Sequence, residues 1–380
     1  MIFQIERVPS PLKPKTDILA LGADTRQRIS WSQAGKIFSL WPKKDFVDIA
    51  DFYFQGSEFL SKRHACKPKV LTFDPHPFFV CNQKSAAIKE KYFREARLFP
   101  VFHHVAHIAN FGFENGSSKK FIGIAFDGTG FGPDRRIWGG EFFVFENRSF
   151  RRVAHLEYQP LPGNEAAILE PWRSAFAILY RTYSKKIFKL DLPFLRGIPG
   201  EKLRLLREMA DKDFNSPQTS SAGRLFDAAS ALLDLKTAVK KEAEAAVALE
   251  KAASLFKSET DRYAADFKKE DGLIVIATTP LFRQIVDDLR RGTSVPEIAY
   301  KFHLTLAGII GQTCGILRKK YRLDDVYLCG GVFMNDVLTR EASKILVQDG
   351  FRATFAPRPA TTDFGISQGQ IAACVMTGFR

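Results

Sequence analysis

Apolar and polar positions along the chain divide it into two stretches that pass through the same series of patterns. The first fifteen residues, with three prolines and several charges, read as a tail (residues 1–15). Three short apolar runs follow, ILALGAD, QRISWSQ and IFSLW, the last two separated by an Ala-Gly turn, and together they predict a β-meander. Beyond them the pattern predicts a helix from about Asp45 to Lys62, a strand VLTFD ending at Asp74 and a helix near Ala86 to Leu98. A short strand at Pro100 to Phe102 and a helix opening at the histidine-rich segment complete this stretch. At Phe121 the series restarts with FIGIAFD, then WGGEFFVFE and FRRVAHL, a second meander. The last third alternates: strand LIVIAT, one long helix from Pro280 to Tyr321, strand VYLCG, helix Asn335 to Gln348, strand RATFAP, helix Gly365 to Thr377. Such alternation implies parallel strands flanked by helices, with ligands at the carboxyl ends of the strands. The expected organisation is a duplicated α/β fold, with a first subdomain over 16–118 and a second over 119–380. A helical insertion is expected at about 164–269, where the run from Lys236 to Lys257 reads as an amphipathic packing helix.

Composition narrows this picture. With 380 residues and 45% apolar content the chain can bury a large core. No window approaches the roughly 18 consecutive apolar residues of a membrane span, and the start lacks a signal-peptide pattern, so no membrane association and a cytoplasmic location are expected. The five cysteines form no CxxC pair and suggest reduced, buried residues rather than a disulfide framework or zinc finger. The net charge of +14 is spread along the chain, and a nucleic-acid partner is not indicated.

Chemistry is suggested at the strand ends. His103 and His107, four apart, project from one helical face about one turn apart, a spacing that can hold one metal ion, while His104 points elsewhere. A helical HxxxH pair alone is more often structural. Asp127 at the tip of FIGIAFD and Asp363 after ATFAP raise the odds, and two imidazoles with carboxylates suit iron or zinc. The segment Asp127-Gly128-Thr129-Gly130 after a strand could bring backbone N–H groups close to a phosphate, although tight hairpins use the same residues. Neither a Walker lysine motif nor a helix-opening GxGxxG occurs. Gly330 and Gly331 lie between VYLCG and a helix opening near Asn335, a geometry for a ligand at a helix N-terminus or an ordinary turn. Gly223, Arg224 and Asp227 open another helix; Asp227 can accept from ribose hydroxyls while Arg224 clamps a nucleotide, against the alternative of a plain surface ion pair.

These segments, in this order, resemble the carbamoyl-transfer domain of the HypF family of hydrogenase-maturation proteins. The matching stretches are FDPHP at Phe73 to Pro77, HHVAHIA at His103 to Ala109, AFDGTGFGPD with IWGGEF through Phe142, EPWR at Glu170 to Arg173 and SSAGRLFDA at Ser220 to Ala228. AYKFHLTLA at Ala299 to Ala307, GGVFMN at Gly330 to Asn335 and TDFGISQGQ at Thr362 to Gln370 complete the set. The resemblance implies an actin/Hsp70/sugar-kinase-like (ASKHA, ribonuclease H-like) nucleotide-binding fold. It implies that His103, His107, Asp127 and Asp363 hold the metal, and that Gly128, Thr129, Gly130, Gly223, Arg224, Asp227, Gly330, Gly331 and Asn335 surround an adenine nucleotide (carbamoyl-adenylate, ATP or AMP). It further implies transfer of a carbamoyl group from carbamoyl-adenylate to the C-terminal cysteine of a HypE-like acceptor, which dehydrates it towards the cyanide ligand of [NiFe]-hydrogenase.

The chain also departs from the family pattern. The acylphosphatase-like, Cys-rich and adenylate-forming regions that precede this domain in the family are not among these residues, so a separate adenylate-forming protein is expected as a partner. The first meander reads GADTRQRIS where the family has an acidic residue followed by Lys-Asn-Thr, Cys329 stands for serine, and Phe364 stands for glycine. Arg26 can replace the lysine's charge, while the bulkier Arg28 and Phe364 stand where they would narrow or reshape the phosphate region. Two alternatives stay open from sequence: a small-molecule or tRNA carbamoyl- or threonylcarbamoyl-transferase, and a non-catalytic nucleotide-binding scaffold subunit.

Overall fold

The computed structural model describes residues 2–11, 13–115, 120–212, 214–356 and 362–379. Its first half contains β1 (Phe3–Val8), β2 (Ile18–Ala20), β3 (Ile29–Gln33), β4 (Lys36–Pro42), α1 (Ile49–Arg63), β5 (Val70–Phe73), α2 (Val80–Tyr92), β6 (Arg97–Pro100) and α3 (His103–Glu114). The second half opens with β7 (Phe121–Phe131), β8 (Ile137–Glu146) and β9 (Ser149–Leu156) and the short strand β10 (Gln159–Pro160). Helices α4 (Glu165–Leu169), α5 (Trp172–Tyr183), α6 (Pro193–Arg196) and α7 (Gly200–Asp211), the short strand β11 (Gln218–Thr219), α8 (Ala222–Leu232) and α9 (Glu244–Leu255) come next. The chain ends through β12 (Asp266–Glu270), β13 (Leu273–Ala277), α10 (Thr279–Arg290), α11 (Val295–Tyr321), β14 (Asp325–Cys329), α12 (Asp336–Gln348), β15 (Arg352–Phe355) and α13 (Ile366–Thr377).

The two sheets repeat one topology. Inside the first, the order is β4-β3-β2-β5-β6; inside the second it is β9-β8-β7-β14-β15. In each, an antiparallel meander is followed by a strand parallel to the meander's first member and then by another parallel strand. Both halves therefore bring the carboxyl ends of their first and fourth strands side by side. This is the duplicated ASKHA-type arrangement, with β1 added beside β4 at the meander edge of the first sheet and the β12–β13 hairpin added beside β9 at the same edge of the second.

The halves share a core. One apolar cluster fills the first sheet against α1 and α2, a second fills the helical side of the second sheet, and a third lies between the sheets. Helices α3 and α13 occupy that third layer, contributing Ala106, Ile108, Ala109, Ile371, Ala372 and Cys374. They approach so closely that a Cβ on Gly369 would sit 2.0 Å from the Ala106 carbonyl oxygen. The Gln370 amide adds a two-way clamp across the junction, accepting from Gly22 N and donating to Gly22 O, both at 2.9 Å. Among the described residues no helix is long and apolar enough to cross a membrane.

Five elements differ from the sequence reading. The tail expected over 1–15 supplies β1, paired antiparallel to β4, because Phe3 is buried against Phe46, Phe52 and Phe59 while the prolines fall after the strand. The helix expected near Ala86 to Leu98 starts earlier, at Val80, and the short strand expected at Pro100 to Phe102 runs from Arg97 to Pro100. The single helix from Pro280 to Tyr321 is two, broken at Gly292 (φ +77°), with Ser294 capping the second through Glu297 N. The packing helix of Lys236 to Lys257 begins only at Glu244.

Candidate metal and nucleotide site

Each meander's first strand runs on to an aspartate, and the two aspartates do parallel work. Asp24 accepts hydrogen bonds from the Val80 and Cys81 backbone N–H groups, the latter at 3.1 Å, and so holds the turn after β5 and the start of α2. Asp127 accepts from Gly331 N at 3.1 Å, in the corresponding turn after β14. The Tyr53 hydroxyl also binds Asp24 at 3.0 Å, whereas the second oxygen of Asp127 faces the histidines of α3.

There the four expected residues converge: His103, His107, Asp127 and Asp363 each offer a ligand atom, and these atoms lie within 4.8 Å of one another. The Nε2 atoms of both histidines are 3.6 Å from Asp127 Oδ2 and 3.4 Å from Asp363 Oδ1. Both Nε2 atoms are buried without a hydrogen-bond partner, which is costly unless a ligand takes them up. Burial disfavours charge on the histidines, but Asp363 and Asp127, with Asp74 at His103, outweigh it and push both pKa values up. Against the same burial, the histidines hold the carboxyls of Asp127 and Asp363 well below the usual carboxylate range. A set of mutually neutralising imidazoles and carboxylates, with two orphaned nitrogens aimed at one point, fits a single iron or zinc ion.

Asp74 was missed as part of this arrangement. Its Oδ2 lies 2.9 Å from His103 Nδ1, and a carboxylate there orients the ring and directs Nε2 into the cluster. A signal existed in the sequence, since VLTFD ends in aspartate like ILALGAD and FIGIAFD. His104 does point elsewhere: it packs under Gly130, where a Cβ would fall 2.3 Å from its Cε1.

Beside the cluster opens a cleft of about 450 Å³, within the roughly 300–1,000 Å³ of small-ligand sites. Gly128, Thr129, Gly223, Arg224, Asp227, Gly331 and Asn335 line it, together with Asp127 and Asp363. Gly130 and Gly330 do not. Strand β7 continues past a bulge, so that Gly130 pairs with Trp138 in the β7–β8 ladder, and Gly330 (φ +98°) lies against the Phe126 backbone. Their glycines serve close packing, not ligand approach. Asn335 is largely committed: its Oδ1 caps α12 through Leu338 N at 2.9 Å, and its Nδ2 meets His303 Nε2 at 3.0 Å.

The pair Arg224 and Asp227 is no surface ion pair. Arg224 Nη1 lies 2.9 Å from Asp227 Oδ2, both buried, and Nη2 donates to Glu242 Oε1 at 2.7 Å. Burial pushes the Asp227 carboxyl up to about 6, Arg224 pulling against this and Glu242 adding to it. Glu242, inside a Lys- and Glu-rich run, gave no sequence signal. It opens the wall formed by Ala243, Ala246, Val247 and Glu250, so α9 packs by its buried face (Ala245, Leu249, Ala252, Ala253) and lines the cleft by another.

The WGGEF motif holds the cleft's floor. Glu141, fully buried, accepts from Ser220 Oγ and from the N–H groups of Gly139 and Gly140, and pairs with Arg152. The next residue, Ser221, donates to the carbonyls of Asp127 and Gly128 at 2.8 and 2.7 Å while its Oγ caps α8 at Arg224 N. A Cβ on Gly140 would lie 2.3 Å from Ser220 O, so the bare backbone is what lets these segments meet. Arg28 and Phe364 do not narrow the cleft: Arg28 turns away to stack on Trp41 and pair with Glu6, and Phe364 is exposed.

Comparison with known proteins agrees with this fold. The family model described as carbamoyltransferase, Kae1-like domain, second subdomain matches residues 123–370, and the HypF Kae1-like domain matches residues 13–114. The chain is 29% identical over 310 residues to a probable carbamoyltransferase HypF of Methanocaldococcus jannaschii, covering 82% of this chain and 39% of that protein. It is 30% identical over 311 residues to a carbamoyltransferase HypF homolog of Cupriavidus necator, covering 80% of this chain and 76% of that one. A crystal structure of full-length HypF in the phosphate- and nucleotide-bound form superposes with a TM-score of 0.86 at 30% identity, covering 97% of this chain and 56% of that one. Against several of the HypF relatives the chain spans 39 to 48% of their length. With both of its sheets matched in order, the chain belongs to the HypF carbamoyltransferase family, corresponding to its Kae1-like domain.

Proposed function

We propose that this chain transfers a carbamoyl group from carbamoyl-adenylate to the C-terminal cysteine of a HypE-like protein, with the adenylate supplied by a separate adenylate-forming protein. The observation that carries this reading is that Asp127 and Asp363 belong both to the four-donor cluster and to the wall of the cleft. Chemistry at the donor set and a nucleotide in the cleft would thus share two residues. His103, His107, Asp127 and Asp363 would hold iron or zinc, which when bound supplies Lewis-acid charge for phosphate or carbamoyl oxygens. Asp227 and Arg224 would fix the ribose, and the Gly128–Thr129 and Gly331 backbones would border the phosphate. The acceptor thiol loses its proton to solvent, its sulfur bonds to the carbamoyl carbon, and the bond from that carbon to the phosphate oxygen breaks, AMP leaving with the electron pair. The scaffold alternative rested on Arg28 and Phe364 obstructing the phosphate region, and their positions outside the cleft wall favour transfer.

Metal content tests the donor set. Protein purified without a histidine tag is expected to carry about one iron or zinc per chain. His107→Ala is expected to empty the site and keep the circular dichroism of the fold; metal content unchanged in both His103→Ala and His107→Ala would remove the assignment.

Asp227 tests the nucleotide. Asp227→Ala is expected to weaken adenosine binding by about 1.5–3 kcal/mol in calorimetry, the scale of a buried charged hydrogen bond. Its folded pKa of about 6 lies above the ordinary 3.8, so protonation competes with ribose binding in an accessible range. Adenosine affinity is expected to fall as pH drops through about 6 and to lose that dependence in Asp227→Asn. From the same shift, this group's stabilising contribution is present below about pH 4 and declines as pH rises towards 6. Equal adenosine affinity in wild type and Asp227→Ala would place the ribose elsewhere.

A further inference from the structure

We propose that an open groove on the second half, separate from the cleft, binds an acidic segment of a partner protein through Arg135, Arg136 and Arg181. The groove has a volume of about 830 Å³ and shares no lining residue with the cleft. Its charge is of the opposite sign. Where the cleft wall carries five carboxylates and two guanidinium groups, the groove carries three guanidinium groups and, among the described residues, one carboxylate, Asp211. That carboxylate is engaged, accepting from the Tyr180 hydroxyl at 2.9 Å. The arginines are oriented without being neutralised. Arg136 lies 4.4 Å over the Tyr158 ring, and neither it nor Arg135 enters an ion pair among the described residues. Asp134, their neighbour in the chain, is taken instead by the Tyr158 hydroxyl at 2.5 Å, Trp138 Nε1 at 2.9 Å and Arg152 Nη1 at 3.5 Å. Arg181 donates through Nη1 to the Tyr158 carbonyl and Gln159 Oε1, with Nη2 3.7 Å from Glu157. Stacking and neutral acceptors leave guanidinium N–H edges available for forked pairing with carboxylates.

The turn between β7 and β8 presents two of these charges at a local cost. Arg135 sits at φ +62°, in the left-handed region that favours glycine, and its N–H closes the turn on Gly132 O at 3.0 Å. No ion pair within the described fold offsets that strain, so the guanidinium is left to act outwards. The chemistry favours a peptide over other anions. Small-ligand sites are mostly apolar and enclosing, whereas this lining is largely polar and all three arginines are exposed. A single-stranded nucleic acid needs aromatic faces for its bases, and Tyr180, the aromatic ring in the lining, is stacked on Phe176 at 5.8 Å with its hydroxyl bound to Asp211. Carboxylates spaced along an extended segment can meet charges set on two elements, here the β7–β8 turn and the last turn of α5.

Fluorescence anisotropy with a labelled peptide of alternating Glu and Ser tests this, beside the same peptide with Gln for Glu and beside oligouridylate. Wild type should bind the Glu peptide more tightly than either, and the binding should weaken as salt rises. Arg135→Ala combined with Arg136→Ala should weaken it by about tenfold or more. Lys268→Ala combined with Lys269→Ala, which removes the same charge from the exposed strand β12, should leave it unchanged. Arg135→Gly should also weaken the peptide while keeping or raising the thermal unfolding midpoint, since glycine accepts the left-handed conformation, an outcome that a damaged fold would not give. Wild-type affinity in the double arginine variant would overturn the proposal, as would a wild type that does not bind the Glu peptide. Equal losses in the arginine and lysine pairs would overturn it too, by reducing the binding to net charge. Tighter binding of oligouridylate through the same arginines would overturn it in favour of a nucleic-acid surface.

Discussion

Carbamoyl transfer is expected to fall by about a hundredfold or more in His103→Ala or Asp363→Ala, the scale seen when a charge-stabilising group is removed from a transition state. His103 is the junction of the donor set: Nδ1 is fixed by Asp74, and Nε2 lies within 3.6 Å of both Asp127 and Asp363. Removing it leaves three donors and two carboxylates facing each other with less neutralising charge. Asp363→Ala removes one of the two carboxylates that the donor set shares with the cleft. Both effects should appear in the rate of thiocarbamate formation at saturating carbamoyl-adenylate, while adenosine affinity, set at the Asp227 end, stays near wild type. Wild-type rates in either variant would detach the chemistry from this cluster.

The second large effect is expected from a single methyl group at the junction of the two halves. In Gly369→Ala the new Cβ would lie 2.0 Å from the Ala106 carbonyl oxygen, a backbone atom on the helix that carries both histidines. Helices α3 and α13 must then separate, and overpacking of this kind destabilises by about 3 kcal/mol. Because Ala106 adjoins His107, metal content should fall together with the thermal unfolding midpoint. Gly315→Ala supplies the contrast: Gly315 lies in α11 with nothing within 4 Å of its added Cβ, and alanine there should hold or raise stability by roughly 0.5–1 kcal/mol. Equal stability of Gly369→Ala and wild type would mean that the two helices do not touch as closely as described.

Much of this architecture could be read from the chain because its signals are local. Apolar runs ending in aspartate mark the strand ends, and the i,i+4 spacing of His103 and His107 puts two imidazoles on one face of α3. The break between α10 and α11 is equally local, in Gly292 followed by Ser294, Pro296 and Glu297, a helix stop followed by a capped start. What sequence did not give depends on partners far along the chain. Helix α2 has no side-chain cap of its own, and the Val80 and Cys81 N–H groups are taken by Asp24 instead. The role of Glu242 arises only when the segment before α9 folds over the Gly128 loop and meets Arg224. Gly130 and Gly330 have a ligand-loop look in sequence but answer to His104 and the Phe126 backbone, contacts that no spacing rule contains.

The most direct measurement is the intact mass of a HypE-like acceptor after incubation with this metal-loaded chain and carbamoyl-adenylate. One carbamoyl group is expected on the terminal cysteine, lost when that cysteine is removed and lost when the metal is chelated. ATP and carbamoyl phosphate should yield it only after an adenylate-forming protein is added. An acceptor mass that stays unmodified with carbamoyl-adenylate present, metal bound and nucleotide tightly held in the cleft, would contradict transfer and leave the chain a nucleotide-binding scaffold.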